Sequence, residues 1–446
     1  MTHAREKRKA ILVPLTERRF LVPLILITSL FFLWALGVNL NDVLIPRMKQ
    51  AFGLDDFQSS FIQVAFFGGY FLAAFPAGRL MERIGYKKGI LTGLCLCAIG
   101  ALLFLPASMI GLYRFFLIAL FVMACGQSFL EVASNPYVTI LGPAKSAARR
   151  LNFSQSFNAV GAVAAPLIGA AFILTKVPQA PVASAALHTA QTQAYRAAVA
   201  GSVKLPYLAI AGIFIFMAIL ISVFHLPEVT ENAEPGDEKV VETPRGGLFR
   251  QTHLIRGVFA QFFYVGAQVG VASFVIRFAQ HTVPGMTARL AAFYLLGHQI
   301  GFMIGRFTGS AMMKRIAAPR LLSFFTAGCL LCVTVALVAT GILPVWAVVF
   351  IGFFHSIMYP TIFALSIRNL GPLTKRGSSL LVMAIVGGAI FPAIMGRISD
   401  ASNIQVAFIV PLCCYIYIFY FAVSGYKPKP LITVEPAIAG AEVPRS

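Results

Sequence analysis

The stretch Phe121–Pro143, FVMACGQSFLEVASNPYVTILGP, decides how the chain is read. It has the length and apolarity of a membrane-spanning helix, about 20 residues, and it carries a single acid, Glu131. A charge near the bilayer centre costs about 2.5–3.5 kcal/mol on insertion scales. The carboxyl must therefore be protonated, paired or set against a water-filled cavity. Each of those choices says something about what the helix is for.

The composition agrees with a membrane setting. Of 446 residues, 58% are hydrophobic and only 12% charged, against about 25% charged in soluble domains. The 36 Lys+Arg outnumber the 16 Asp+Glu and give a net charge of +20. These bases gather at the N-terminus and in short loops, where they set orientation in a bilayer. They are accordingly not read as a nucleic-acid surface. All seven cysteines fall in apolar runs, and Cys329-Leu-Leu-Cys332 lacks the flanks of a metal or redox site. The sequence carries no metal-ligand cluster, cofactor motif, nucleophile–base pair or phosphate loop, so no enzyme is expected.

Outward from Glu131, the chain falls into two bundles. Residues 1–19 are a basic flank that places the N-terminus in the cytoplasm. The apolar run 20–46 is too long for a signal-peptide core and reads as a retained first helix. Runs near 57–80, 87–107, 113–140, 150–174 and 203–225 complete a bundle over 20–225. The acidic, Pro- and Gly-containing segment 226–253 cannot span and reads as a cytoplasmic linker. Runs near 254–280, 286–312, 320–341, 344–367, 377–397 and 404–425 form a second bundle over 254–425, with a cytoplasmic tail at 426–446. Basic residues such as Arg83, Lys87, Arg149, Arg150, Lys314, Arg315, Lys375 and Arg376 mark the inside loops. The expectation is an all-α membrane protein of twelve transmembrane helices with both termini cytoplasmic.

The halves resemble each other. Met81-Glu-Arg-Ile84 recurs as Met313-Lys-Arg-Ile316, Leu141-Gly-Pro143 as Leu370-Gly-Pro372, and Gly161-Ala-Val-Ala-Ala-Pro166 as Gly387-Gly-Ala-Ile-Phe-Pro392, all at nearly one offset. Two six-helix repeats with a site between them near the midplane describe an alternating-access transporter.

Sorting the acids leaves two inside apolar helices, Asp42 and Glu131, both in the first half. A salt bridge or a cap is the plain structural alternative. No base in an apolar run of the first half offers an obvious partner, which favours groups that titrate. A low dielectric favours the neutral carboxyl, and a group that binds its proton on one side and sheds it on the other couples proton flow to solute movement. Asn39 adjoins Asp42; Gln127, Ser128 and Asn135 flank Glu131; Gln155 and Asn158 lie in the fifth helix. In the second half Tyr264, Gln268, His298, Gln299, His355 and Tyr359 interrupt apolar runs. Amides and aromatic rings suit a sugar, hydroxyls taking amide bonds and the ring face lying on an aromatic. Each alone is also ordinary interhelical glue. Gly78, Arg83, Gly85 and Arg306, near cytoplasmic helix ends, read as gating or structural positions. Pro136 and Pro360 read as matching helix breaks, for packing or as hinges.

Gly78-Arg-Leu-Met-Glu-Arg-Ile-Gly-Tyr-Lys-Lys88 resembles the signature loop between helices two and three of the major facilitator superfamily, with Glu82 where Asp is usual. NLND at 39–42, LEVASNP at 130–136, LNFSQSFN at 151–158, YVGAQ at 264–268, PGMTA at 284–288, IGRFTG at 304–309 and YPTIF at 359–363 are similar to the fucose–galactose–glucose:proton symporter family. That resemblance implies a twelve-helix fold and sugar import with a proton, in a bacterial inner membrane, by a monomer. It assigns proton handling to Asp42 and Glu131 and places Asn39, Gln155, Asn158 and Tyr359 near the sugar. Gln268 favours L-fucose, with glucose, galactose or an amino sugar behind it. His298-Gln299 departs from the family pattern, and His298 is expected to line the cavity as a further substrate-binding group. Other classes fit less well: a sugar sensor would carry a long signalling extension, and a drug:proton antiporter a more aromatic cavity.

Overall fold

The computed structural model describes residues 13–52, 56–169, 204–224, 226–227 and 247–428. Expectations for residues 1–12, for the outer loop at 175–203, for most of the linker and for the tail beyond 428 lie outside the described residues. So does the side chain of Asp42, although its backbone belongs to the first helix.

The first half comprises α1 (Leu21–Phe52), α2 (Asp56–Ile110), α3 (Tyr113–Ile140), α4 (Ala147–Gly169) and α5 (Lys204–Val223). At 55 residues, α2 would be about 80 Å long if straight, far beyond a hydrocarbon core of about 30 Å. It is two spans. The chain turns at Gly85, whose φ of 79° and ψ of 176° lie in a region open essentially to glycine alone.

The second half comprises α6 (Thr252–Thr282), α7 (Ala288–Met312), α8 (Ala318–Val338), α9 (Leu343–His355), α10 (Met358–Ser366), α11 (Thr374–Met383), α12 (Gly387–Ala401) and α13 (Ile409–Tyr420). Here α9 and α10 share one span, and a 3-10 turn at Ala384–Val386 joins α11 to α12 in another. Nine stretches among the described residues are long and apolar enough to cross a membrane. One of them is the doubled α2, and the more polar α4 and α7 bring the bundle to twelve spans in two six-helix halves. Large apolar side chains such as Phe216, Leu331 and Phe350 remain exposed, on the surface that lipid covers.

The two prolines behave differently. Pro136 lies inside an unbroken α3, so the expected break there does not occur. Pro360 accounts for the break between α9 and α10. Lacking an N–H, it leaves the carbonyl of Ser356, four residues earlier, without its helical partner. That carbonyl accepts a hydrogen bond from Arg306 Nε at 3.1 Å.

At the end carrying the basic loops, the halves are in contact. Gly78 sets α2 against α11 so closely that a Cβ would stand 2.7 Å from Ser379 Oγ. Four residues on, Glu82 pairs with Arg376 at 2.6 Å across the same seam, with Arg83 exposed beside it. Asn152 Nδ2 donates to Thr361 Oγ1 at 3.0 Å, and Ser310 Oγ to the Arg149 carbonyl at 3.3 Å.

Arg150 is not the solvated loop charge that its position suggested. It is completely buried. Its guanidinium donates to the carbonyls of Val138 (2.6 Å), Leu15 (2.8 Å) and Gly142 (3.2 Å), and to that of Thr139. It thereby satisfies the acceptors left over at the C-terminus of α3, where a cation also complements the helix dipole. Thr16 Oγ1 donates to the Leu141 carbonyl at 2.6 Å and Arg149 Nη1 to that of Val13 at 3.0 Å. The segment ahead of α1 is thus strapped onto the α3–α4 turn.

Arg150→Leu strands several buried carbonyls at about 1–3 kcal/mol each. The melting temperature of the detergent-purified variant should fall by several degrees, and that of Arg149→Leu by much less. Equal melting of all three proteins would contradict this account.

Candidate functional site

The seam between the halves opens, away from the basic loops, into a cavity of about 490 Å³. Its first-half wall carries Trp34 and Asn39 of α1, Gln63, Phe66 and Tyr70 of α2, Glu131 of α3, and Gln155 and Asn158 of α4. Its second-half wall carries Gln268 of α6, Gln299 and Arg306 of α7, and Tyr359 of α10.

Glu131 sits in the cavity floor at 7% exposure. Tyr359, from the opposite half, donates its hydroxyl to Glu131 Oε1 at 2.6 Å. Tyr70 reaches the same region, and its hydroxyl is directed to Gln127 Oε1 at 3.5 Å while Ser128 Oγ holds the Tyr70 carbonyl at 3.0 Å. Gln127 and Ser128 therefore support the wall rather than form it.

One turn along α3, Asn135 accepts a bond from Gln155 Nε2 at 3.0 Å. The other face of that amide, Gln155 Oε1, accepts from Arg306 Nη1 at 3.0 Å, and the same nitrogen donates to the Gln155 carbonyl. With Nε on Ser356 and the Phe302 ring 4.6 Å from Cζ, the buried guanidinium ties α7 to α9 and across the seam to α4. Asn158 Nδ2 donates to the Phe31 carbonyl at 3.3 Å, and Asn39 Nδ2 to the Ala35 carbonyl at 2.7 Å.

The structure therefore brings Asn39, Glu131, Gln155, Asn158, Gln268 and Tyr359 to one cavity. It does not bring His298 there. His298 is 1% exposed, bonds through Nδ1 to the Val348 carbonyl at 3.0 Å, and meets the His355 ring edge-on at 5.2 Å between centroids. One residue is about 100° of helical rotation, so Gln299 faces the cavity and His298 faces α9. Arg306 differs in the opposite sense, since it lies in the cavity floor and not at a helix end. The signal for it was there: a lone base inside the apolar run IGRFTG. Gln63, Phe66 and Trp34 had no such signal beyond being large or polar in an apolar run.

An all-helical, two-half bundle with a polar site at the midplane seam is the architecture of a secondary transporter. A model of the Major Facilitator Superfamily matches residues 27–385, and the chain belongs to that superfamily. It is 43% identical to the L-fucose-proton symporter of Escherichia coli (strain K12) over 409 residues, 91% of this chain and 93% of that one. It is equally 43% identical, over 404 residues, to a glucose/galactose transporter of Brucella abortus biovar 1 (strain 9-941), covering 90% and 93% of the two chains. The crystal structure of the superfamily transporter FucP in the outward conformation superposes with a TM-score of 0.82 at 42% identity, covering 91% of this chain and 99% of that one.

Removing Arg306 unpins α7 from both Gln155 and Ser356. In a chain whose seven cysteines are replaced, a Ser310→Cys reporter in the closed seam should label faster with a soluble maleimide when Arg306→Leu is added. Arg306→Lys, which keeps the charge but not the fork, should lie between. Unchanged labelling would mean that this bridge does not hold the seam.

Proposed function

We propose that this chain imports a sugar together with a proton by alternating access, with L-fucose the first substrate to test. The observation that carries the reading is the Tyr359–Glu131 hydrogen bond. It joins the two halves at the floor of an amide-lined cavity, so the state of the acid and the contact between the halves are one event. Protonated Glu131 needs no counter-charge in the floor and permits sugar to bind from the open side. The halves then rock, the basic end opens, and sugar and proton leave there. The carboxylate left behind is stabilised by donors such as Tyr359 until the empty carrier returns.

In this reading Asp42 is the second proton-handling acid, acting as a relay; that role rests on the family pattern around NLND at 39–42. Asn39, Gln155, Asn158, Gln268 and Tyr359 contact the sugar. Gly78, Arg83 and Gly85 shape the gate at the basic end, where Gly78 and the Glu82–Arg376 pair support it. The basic end faces the cytoplasm of a bacterial cell, by the bias of short-loop charge, and the chain works in the inner membrane as a monomer. A glucose or galactose substrate is the second reading, favoured by the equal identity to the Brucella transporter. The amide-rich wall argues against a drug:proton antiporter.

Cells expressing the chain, de-energised and lightly buffered, should show external alkalinisation on addition of L-fucose. Alkalinisation with another sugar alone would move the substrate and keep the mechanism. Glu131→Gln should lose sugar-driven alkalinisation and accumulation yet keep sugar counterflow, because exchange needs no proton release. Full proton-coupled uptake by that variant would overturn the role of Glu131.

A further inference from the structure

Several polar groups of the first-half wall already bond within the protein. Gln155 uses both ends of its amide, on Asn135 and Arg306. Asn158 and Asn39 use their donors alone, on backbone carbonyls, and Glu131 accepts from Tyr359. Gln63 of α2 is one cavity amide with no hydrogen bond to a described residue, and on the second-half wall both amides are in that state. Gln268 and Gln299 line the cavity, and neither makes a hydrogen bond to any described residue. Gln299 is exposed and Gln268 partly so. Ser273, also on this wall, directs its hydroxyl to the Val269 carbonyl at 2.7 Å.

Their placement gives these free amides a definite reach. Leu295, Gln299 and Arg306 line the cavity from α7, at spacings that keep them on one helical face. Arg306 is fixed in the floor. Gln299 precedes it by two turns, about 10 Å along the axis toward the open end. That is a little more than the breadth of one pyranose ring with its hydroxyls. A sugar resting on the floor therefore presents its outward edge at the level of Gln299. An amide offers a donor and an acceptor side by side, a match for a hydroxyl that must both give and take.

We infer that Gln299, acting with Gln268, reads the hydroxyls on the outward edge of the bound sugar and determines which epimers are transported. The inference rests on the reading of the cavity as a sugar site. The floor then supplies coupling and the α6–α7 wall supplies discrimination. His298, buried one residue away, takes no part.

The test is sugar counterflow in proteoliposomes of wild type and Gln299→Leu, run with the preferred sugar, its epimers and its single-deoxy derivatives. Loss of one neutral hydrogen bond should raise the half-saturation concentration for the preferred sugar roughly 3- to 10-fold with the maximal rate kept. The penalty should vanish for the one deoxy derivative that lacks the hydroxyl being read. Gln299→Met, closer in shape, should reproduce this pattern if the Leu variant assembles poorly, and Gln268→Leu should lose discrimination at a neighbouring hydroxyl. An unchanged half-saturation, or the same rise for every derivative, overturns the inference while wild-type exchange keeps the sugar reading. A wild-type chain that exchanges no sugar overturns both.

Discussion

A guanidinium within an apolar bundle must find an acceptor in the protein for its N–H groups, because lipid supplies none. Arg306 does so with groups from two places, the break between α9 and α10 and the facing α4. The Ser356 carbonyl is free to accept because Pro360 cannot donate to it. The backbone and side chain of Gln155 accept from across the seam. Gln155 in turn holds Asn135, one turn from Glu131. The surroundings of the acid in the first half are thus set by a base in the second, and stripping one partner from such a buried charge is far costlier than the pair is worth. This makes the seam a connected network in which no single bond is independent.

The two halves echo each other in sequence and divide the chemistry unequally. The intramembrane acid with a described side chain, Glu131, belongs to the first half, whereas Arg306 and the hydroxyl that meets the acid, Tyr359, belong to the second. Pro136 and Pro360 differ in the same way: the first is absorbed in an uninterrupted helix and the second interrupts one. An approximate two-fold scaffold with one-sided functional groups gives a carrier whose central bonds cross the interface by construction, so the moving surface and the site coincide.

The spans, the repeat and the place of Glu131 in the cavity were legible because apolar run length and an isolated charge are one-dimensional signals. What escaped was set by rotation and by bonding. His298 and Gln299 are adjacent in the chain, and only the phase of α7 decides which one meets the cavity. Arg306 lies in an apolar run as plainly as Glu131 does, yet a long cationic side chain near a glycine is equally consistent with snorkelling to a helix end. Arg150 counted as an orienting loop charge until its carbonyl partners were seen, because the composition of a loop does not say which of its bases is buried. The break at Pro360 was visible, but not that the orphaned carbonyl would serve the site.

The strap ahead of α1 bears on how the protein is made. Arg150 bonds to Leu15 across 135 residues of sequence, and Thr16 bonds to Leu141 across 125. At the usual pace of translation, roughly six to thirty seconds separate the emergence of one partner from that of the other. Throughout that interval the segment ahead of the first helix lacks the partners that strap it down, so the strap is a late contact of the first half and closes only once the start of α4 has been made.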